Sequence, residues 1–286
     1  MTTRNIFPLI LSALLLPLTA AAQDGGKGTA KETDRNLIQA ALKGWHVRVG
    51  AGVSVGGTSP LPLPAEIRSI DKYNPTLCVT IEGAVEKRFP DSHWGMMVGA
   101  RFENKGMKTD ATVKNYHMEA VNASTTGTKT KDNKVVGAWT GHVRTEVHNN
   151  YLTFPILATY SFNDRWMVKA GPYLSWMFNG SFTGAAYAKQ IGVDADGEPV
   201  YDEAYIRDQN PTGEKSQVER ATYDFSDELR RFHWGLQVGG EFKAFKHLSV
   251  SADLCWGLNG IFPADFESVT FALYPIYGTL GFHYLF

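Results

Sequence analysis

The feature that most constrains this chain is an alternation of apolar and polar residues with period two, repeated in eight segments from Trp45 onward. Period two places successive side chains on opposite faces of a strand, so each segment predicts a strand with one apolar face. Segment one, Trp45 to Gly56, sets Trp45, Val47, Val49, Ala51, Val53 and Val55 against His46, Arg48, Gly50, Gly52, Ser54 and Gly56. Segment two, Thr76 to Phe89, sets Leu77, Val79, Ile81 and Val85 against Cys78, Thr80, Glu82 and Glu86. The same pattern follows from Trp94, Tyr151, Trp166, Phe232 and Leu248, and in the closing segment from Tyr274 to Phe286.

The connections alternate as well. Short ones surround Pro90-Asp91-Ser92, Asn163-Asp164-Arg165 and Lys246, whereas 57–75, roughly 108–150, roughly 184–229 and 259–269 are long. Tight turns on one rim and long loops on the other predict an all-β fold, an eight-stranded antiparallel up-and-down transmembrane β-barrel. Past the first 22 residues no apolar run is long enough for a spanning helix. A net charge of -1 excludes general electrostatic capture of nucleic acid. Cys78 and Cys255 are the only cysteines, too few for a disulfide scaffold or a four-cysteine zinc site, and two free thiols are expected.

A lipocalin-like soluble barrel shares the strand number but has the opposite polarity, apolar inside and wet outside. Two patterns favour the membrane. The apolar faces carry aromatics at both strand ends: Trp45, Trp94 and Trp166 toward the short turns, Trp176, Trp234 and Trp256 toward the long loops. Two aromatic girdles around an aliphatic band match a bilayer and its interfaces, so outer-membrane lipid is the expected surrounding. The opposite faces carry five basic residues, Arg48, Arg101, Lys105, Lys169 and Lys243, and five acidic ones, Glu82, Glu86, Glu103, Glu241 and Asp253. Facing lipid, such charges cost roughly 2–4 kcal/mol each at mid-depth, whereas in a narrow lumen they can pair. Glycines on the same faces leave room for them. Eight strands enclose space for side chains only, so a packed lumen without an open pore is expected.

Arg4 precedes an apolar stretch from Ile6 to Leu18, then Ala20-Ala21-Ala22 and Gln23. This reads as a secretory signal peptide over 1–22, cleaved after Ala22, with export to the outer membrane. Residues 23–44 are expected to form a periplasmic linker, either with a short helix bearing Leu37, Ile38, Ala41 and Leu42 or as a frayed tether. The barrel is expected over 45–286. Its final strand carries Thr279, Gly281, Tyr284 and Phe286 in the order polar, Gly, aromatic, aromatic, which resembles the assembly signal that outer-membrane barrels offer to the insertion machinery. An edge strand with aromatics on one face suits docking by strand addition.

Several stretches resemble the PorT-like outer-membrane β-barrel family: Asn150-Tyr151-Leu152-Thr153-Phe154-Pro155-Ile156-Leu157, Lys169-Ala170-Gly171-Pro172-Tyr173-Leu174, Gly235 to Phe242 and Gly281 to Phe286. The resemblance covers roughly Trp45 to Phe286. It implies the barrel fold and a link to type IX secretion of surface proteases, in which the founding member is implicated. It carries over no catalytic residues.

Pro155 and Pro172 lie inside strands and predict bulges or kinks. Asp196-Gly197 predicts a hairpin tip with a type I′ turn. The 108–150 region also alternates (Val113, Tyr116; Trp139, Val143, Val147), so hairpins reaching beyond the membrane are expected, with edges open to an envelope partner. His46, His233 and His283 are expected to point inward. A loop active site from His117, His142 and His148 near Ser124 and Asp132 is the enzymatic alternative. The leading expectation is a non-enzymatic anchor, scaffold or secretion accessory without cofactor or metal, and the main alternative is a small porin-type channel.

Overall fold

The computed structural model describes residues 44–125, 128–129, 135–208, 215–217, 220–266, 268 and 271–286. The expectations for 1–22 and, apart from Gly44, for 23–44 lie outside these residues. The first strands in chain order are β1 (Trp45–Pro60), β2 (Ile67–Pro75), β3 (Cys78–Arg88), β4 (Trp94–Thr125) and β5 (Thr128–Lys129). Next come β6 (Val135–Ser161), β7 (Trp166–Tyr187), β8 (Gln190–Val193), β9 (Pro199–Tyr201) and β10 (Tyr205–Asp208). The last are β11 (Lys215–Gln217), β12 (Arg220–Asp224), β13 (Phe232–Lys243), β14 (Leu248–Gly257) and β15 (Leu273–Leu285). No helix among the described residues is long and apolar enough to cross a membrane, which says nothing of strands.

Eight of these strands close an antiparallel ring in the order β1–β3–β4–β6–β7–β13–β14–β15 and back to β1. Closure pairs every ring strand on both sides over most of its length, which a bilayer demands because it supplies no hydrogen bonds. Along β3 the burial alternates residue by residue, with Cys78, Thr80, Glu82, Ala84 and Glu86 buried and Val79, Ile81, Gly83 and Val85 outward. The charged faces thus look into the barrel and the apolar faces look out.

Three strands run far past the ring: β4 has 32 residues, β6 has 27 and β7 has 22. Beyond the membrane band they join β12, which pairs with β7 on one side and β4 on the other. With the β4–β6 and β6–β7 ladders this closes a second, four-stranded ring. Its interior is apolar, built from Val113, Met118, Trp139, Val143, Phe182, Ala186, Ala221 and Tyr223. Ile261 and Phe262 from the 258–272 connection tuck into the same core, where Phe262 stacks on Phe266 with ring centroids 4.3 Å apart.

The two storeys have opposite polarity. Below, β6 turns Ile156 outward and buries Thr153; above, it turns His142, Arg144, Glu146 and His148 outward and buries Val143 and Val147. The change falls where Asn104, Asn150 and Asn179 lie side by side on neighbouring strands, with Asn104 Nδ2 donating to Asn150 Oδ1 at 2.8 Å. Below that belt the outer face meets hydrocarbon, and above it the outer face meets water. In both storeys β6 keeps Val143, Val147 and Ile156 away from water.

Two local expectations are corrected. The ladders of β4, β6, β7 and β13 keep one register across Pro155 and Pro172, so neither proline creates a bulge. Pairing is skipped locally instead, and the register shifts fall at Asn150/Tyr151 and Val113/Tyr116. The 194–198 turn is not type I′. Gly197 N–H donates to the Asp194 carbonyl at 3.2 Å, Gly197 has φ of +84° and Asp196 is not among the positive-φ residues. That is a type I turn with a glycine bulge, where only Gly197 needs the left-handed conformation.

Candidate functional site

The densest chemistry lies in the lumen of the lower ring. Arg48 on β1 contacts Glu86 Oε2 on β3 at 3.3 Å and reaches Glu241 on β13. Lys169 on β7 lies 3.0 Å from Asp253 Oδ1 on β14 and 4.0 Å from Glu241. Gln237 donates to Asp253 at 3.0 Å while accepting from Arg101 at 2.9 Å. Arg101 sits 2.6 Å from Glu103 and 3.6 Å from Glu82, and Lys105 lies 2.8 Å from the other Glu103 oxygen. Hydroxyls add further donors: Ser249 donates to Glu241 at 2.6 Å, Ser251 to Asp253 at 3.0 Å and Thr153 to Glu103 at 2.9 Å. All nine of these charged residues are buried. A buried charge left unpaired is severely penalised, so the side chains are tied together across the lumen.

The upper end of this network is an aromatic cage. Lys105 Nζ lies 5.1 Å from the Tyr277 ring centroid, 5.4 Å from Tyr151 and 5.9 Å from Tyr173. Three rings around one ammonium give cation–π attraction and fill the lumen's cross-section. Glycines make the space: a Cβ at Gly235 would stand 2.6 Å from the Tyr173 hydroxyl, and one at Gly239 would collide with Asp253.

Two predicted lumen residues sit elsewhere. Lys243, expected in the network, is only half-buried at the short-turn rim, where it lines a 220 Å³ hollow with His46, Arg88, Lys246 and His247. It forms no ion pair among the described residues; its place is taken by Arg88, whose Nε lies 3.3 Å from Glu86 Oε1. His46 is exposed at that rim rather than inward. Both lie beyond the last lumen layer, Arg48 and Glu241, so alternation continues in a region where inside no longer means buried. His233 and His283 do point inward, at 2% and 6% exposure.

The six girdle tryptophans all face outward and are exposed. Toward the short turns, Trp94 packs edge-on against Tyr160 at 5.0 Å and Trp166 lies tilted against Phe242 at 4.8 Å, while Lys87 lies over Trp45. Toward the long loops, Trp176 pairs with Phe232 and Trp256 with Leu236. Thr279 and Gly281 on β15 face the lumen, and Tyr284 and Phe286 face outward with ring centroids 5.0 Å apart. In the closed ring β15 pairs with both β1 and β14.

Above the membrane, His142 is the best-connected ionisable residue among the described ones. Its Nε2 lies 2.6 Å from Asp202 Oδ2 and its Nδ1 3.4 Å from Asp71 Oδ2 and 3.2 Å from Thr112 Oγ1. Burial pushes the Asp71 carboxyl upward, but hydrogen bonds from Ser69, Thr112 and His142 hold it below its ordinary value. The three elements, β2, β6 and the 202–204 link, are thereby clamped together. This differs from the enzymatic alternative. His142 is engaged by Asp71 and Asp202, while the Ser124 side chain and Asp132 lie outside the described residues. Among the described residues no group of three or more His, Cys, Asp and Glu has metal-binding geometry. Cys78 and Cys255 are both free and buried.

A closed ring with a lipid-ready exterior and a charge-filled interior defines an integral membrane β-barrel. Residues 22–263 match the outer membrane protein beta-barrel domain, and the chain belongs to that family of outer-membrane proteins. No curated protein matches it. Among solved structures, the chain is similar to Ail, the attachment invasion locus protein of Yersinia pestis, crystallised with the heparin analogue sucrose octasulfate. The identity is 10% and the TM-score 0.32, covering 85% of this chain and 97% of that one. Neisserial surface protein A is similar at 10% identity and a TM-score of 0.30, covering 85% and 98%. The translocator domain of the autotransporter NalP from Neisseria meningitidis follows at 10% identity and 0.23, covering 90% and 96%.

Proposed function

We propose that this outer-membrane barrel is a non-enzymatic anchor and scaffold that holds a protein-binding platform at the membrane surface. In the PorT-like reading the bound partner belongs to a secretion apparatus. The single observation that carries the proposal is the combination, in one molecule, of a lumen crossed by the buried contacts of Arg48 with Glu241 and of Arg101 with Gln237, and a tall strand assembly on the long-loop rim. The filled lumen gives solutes no role, and the elongated strands invest the chain in presentation. The most available edge is the β8–β9 hairpin, all of whose residues are exposed, including Ile191, Val193, Val200 and Tyr201. An isolated two-stranded hairpin is marginal alone in water, and strand addition by a partner would complete it. Before ring closure, the β15 strand with Thr279, Gly281, Tyr284 and Phe286 offers the barrel assembly machinery an unpaired edge; the ring then consumes that edge.

A photo-crosslinking amino acid in place of Tyr201, in intact cells, tests the scaffold. A discrete adduct with one envelope or surface protein, lost when Val193→Asp is added, is the expected result. Ultraviolet-dependent adducts that are absent, or indifferent to Val193→Asp, contradict it.

A further inference from the structure

The wall of the barrel is unzipped at one place. β1 pairs with β3 only up to Ser54–Cys78; beyond it, β1 residues 55–60 pair with β15 alone, while β2 pairs with β4 alone. Continuing the β1–β3 register sets Gly57 against Pro75, which has no N–H to give, so the ladder cannot extend through that level. Two contacts stand in for it. The Tyr73 hydroxyl donates to the Gly56 carbonyl at 2.6 Å, and Thr58 N–H donates to the Met107 sulfur, a weak acceptor, at 3.3 Å.

Behind this seam lies an apolar cavity of about 370 Å³, bounded by Ser59 and Pro60 on one side, Ile67 and Ile70 on the other, and Ala111 and Phe271 at the back. That volume is at the small end for organic ligands, enough for one chain rather than a whole bilayer lipid. The seam begins at the lipid line. Val55 on β1 and Leu77, in the link between β2 and β3 at its base, continue the outward rows of Val53 and Val79, and Leu77 is 71% exposed. Lipid-facing surface therefore continues, through Leu77 and Tyr73, into the cavity without a charged residue among the cavity's lining.

We infer that the β1–β2 seam is a lateral portal through which the cavity takes one acyl chain of an amphiphile dissolved in the bilayer, with Tyr73 as its latch. Entry from the membrane fits the position of the opening. An aliphatic chain fits a lining of Ile, Leu, Val, Pro and aromatic side chains, since burial of apolar area is the driving force on offer.

The test uses the full-length barrel in lipid nanodiscs with palmitic acid carrying a mid-chain diazirine, irradiated and mapped by peptide mass spectrometry. Saturable adducts on the Ile67–Tyr73 and Phe271–Ile276 stretches, competed by plain palmitic acid, are expected. Ala111→Phe, which fills the cavity, should lower them by roughly tenfold. Tyr73→Phe should speed labelling without raising its plateau. Non-saturable adducts spread over Trp176, Trp234 and Trp256, unchanged by competitor, would mean bulk lipid contact only and overturn the inference. The wild-type map decides this even where a variant fails to fold, which heat-modifiable gel migration reveals.

Discussion

The guanidinium of Arg48 reaches the carboxylate of Glu241 across the lumen, from a strand three places away around the ring. The pair therefore braces opposite walls instead of stitching neighbours. Arg48→Met strands two buried carboxylates, leaving Glu86 to half-exposed Arg88 and Glu241 to Lys169 at 4.0 Å. Losing one partner of a buried pair costs about 3–5 kcal/mol. Urea unfolding in lipid vesicles should register that loss, and Arg48→Met with Glu241→Gln should lose less than the sum of the two single variants. Additive losses would show that the two groups do not interact.

The outward face below the asparagine belt is a lipid face. Val238, outward and exposed midway along β13 opposite Ala170 and Leu254, is a sensitive probe. Val238→Arg should cost roughly 2–4 kcal/mol in vesicles. Ile191→Arg, on the hairpin beyond the membrane, should change stability by less than about 0.5 kcal/mol. Equal tolerance at both positions would contradict the assignment of the band.

Much of this division is legible in the sequence, because β4 alternates cleanly from Trp94 to Glu103 and lipid-facing and lumen-facing chemistry differ in kind. The four-stranded upper ring is not read off so directly. Past Asn104 and Asn150 the alternation persists, but apolar now means inward, and Trp139, Val143 and Val147 look the same in either case. The outward run His142, Arg144, Glu146, His148 carries the signal of the reversal. Closure through β12 depends on pairing residues about a hundred positions apart, as Thr222 with Val121, which no local pattern encodes. Lys243 departs from the lumen because alternation fixes a face but not a height: one layer below Glu241 the lumen has become a solvated rim.

Acid should loosen the β2 clamp. Burial raises the Asp71 carboxyl, yet Ser69, Thr112 and His142 together hold it below the ordinary value. A depressed folded value means that the stabilisation is complete above the unfolded carboxyl range, near pH 4, and is lost as pH falls through the folded value. Amide exchange in Ile67–Pro75, measured as a ratio to exchange in the β13–β14 ladder, should therefore be flat from pH 7 to about pH 5 and rise below about pH 4. Asp71→Asn should raise the ratio at neutral pH and flatten its acid rise. An acid rise that survives Asp71→Asn would place the titration elsewhere.

The most direct measurement of the central claim is single-molecule conductance of the purified barrel in planar bilayers. With Arg48, Arg101, Lys105 and Lys169 tied across the lumen and three tyrosines around Lys105, the wild-type protein should give a silent baseline, while Lys105→Ala with Tyr277→Ala should begin to leak. Discrete, reproducible openings of the unaltered protein would contradict a filled centre, and with it the reading of this barrel as an anchor.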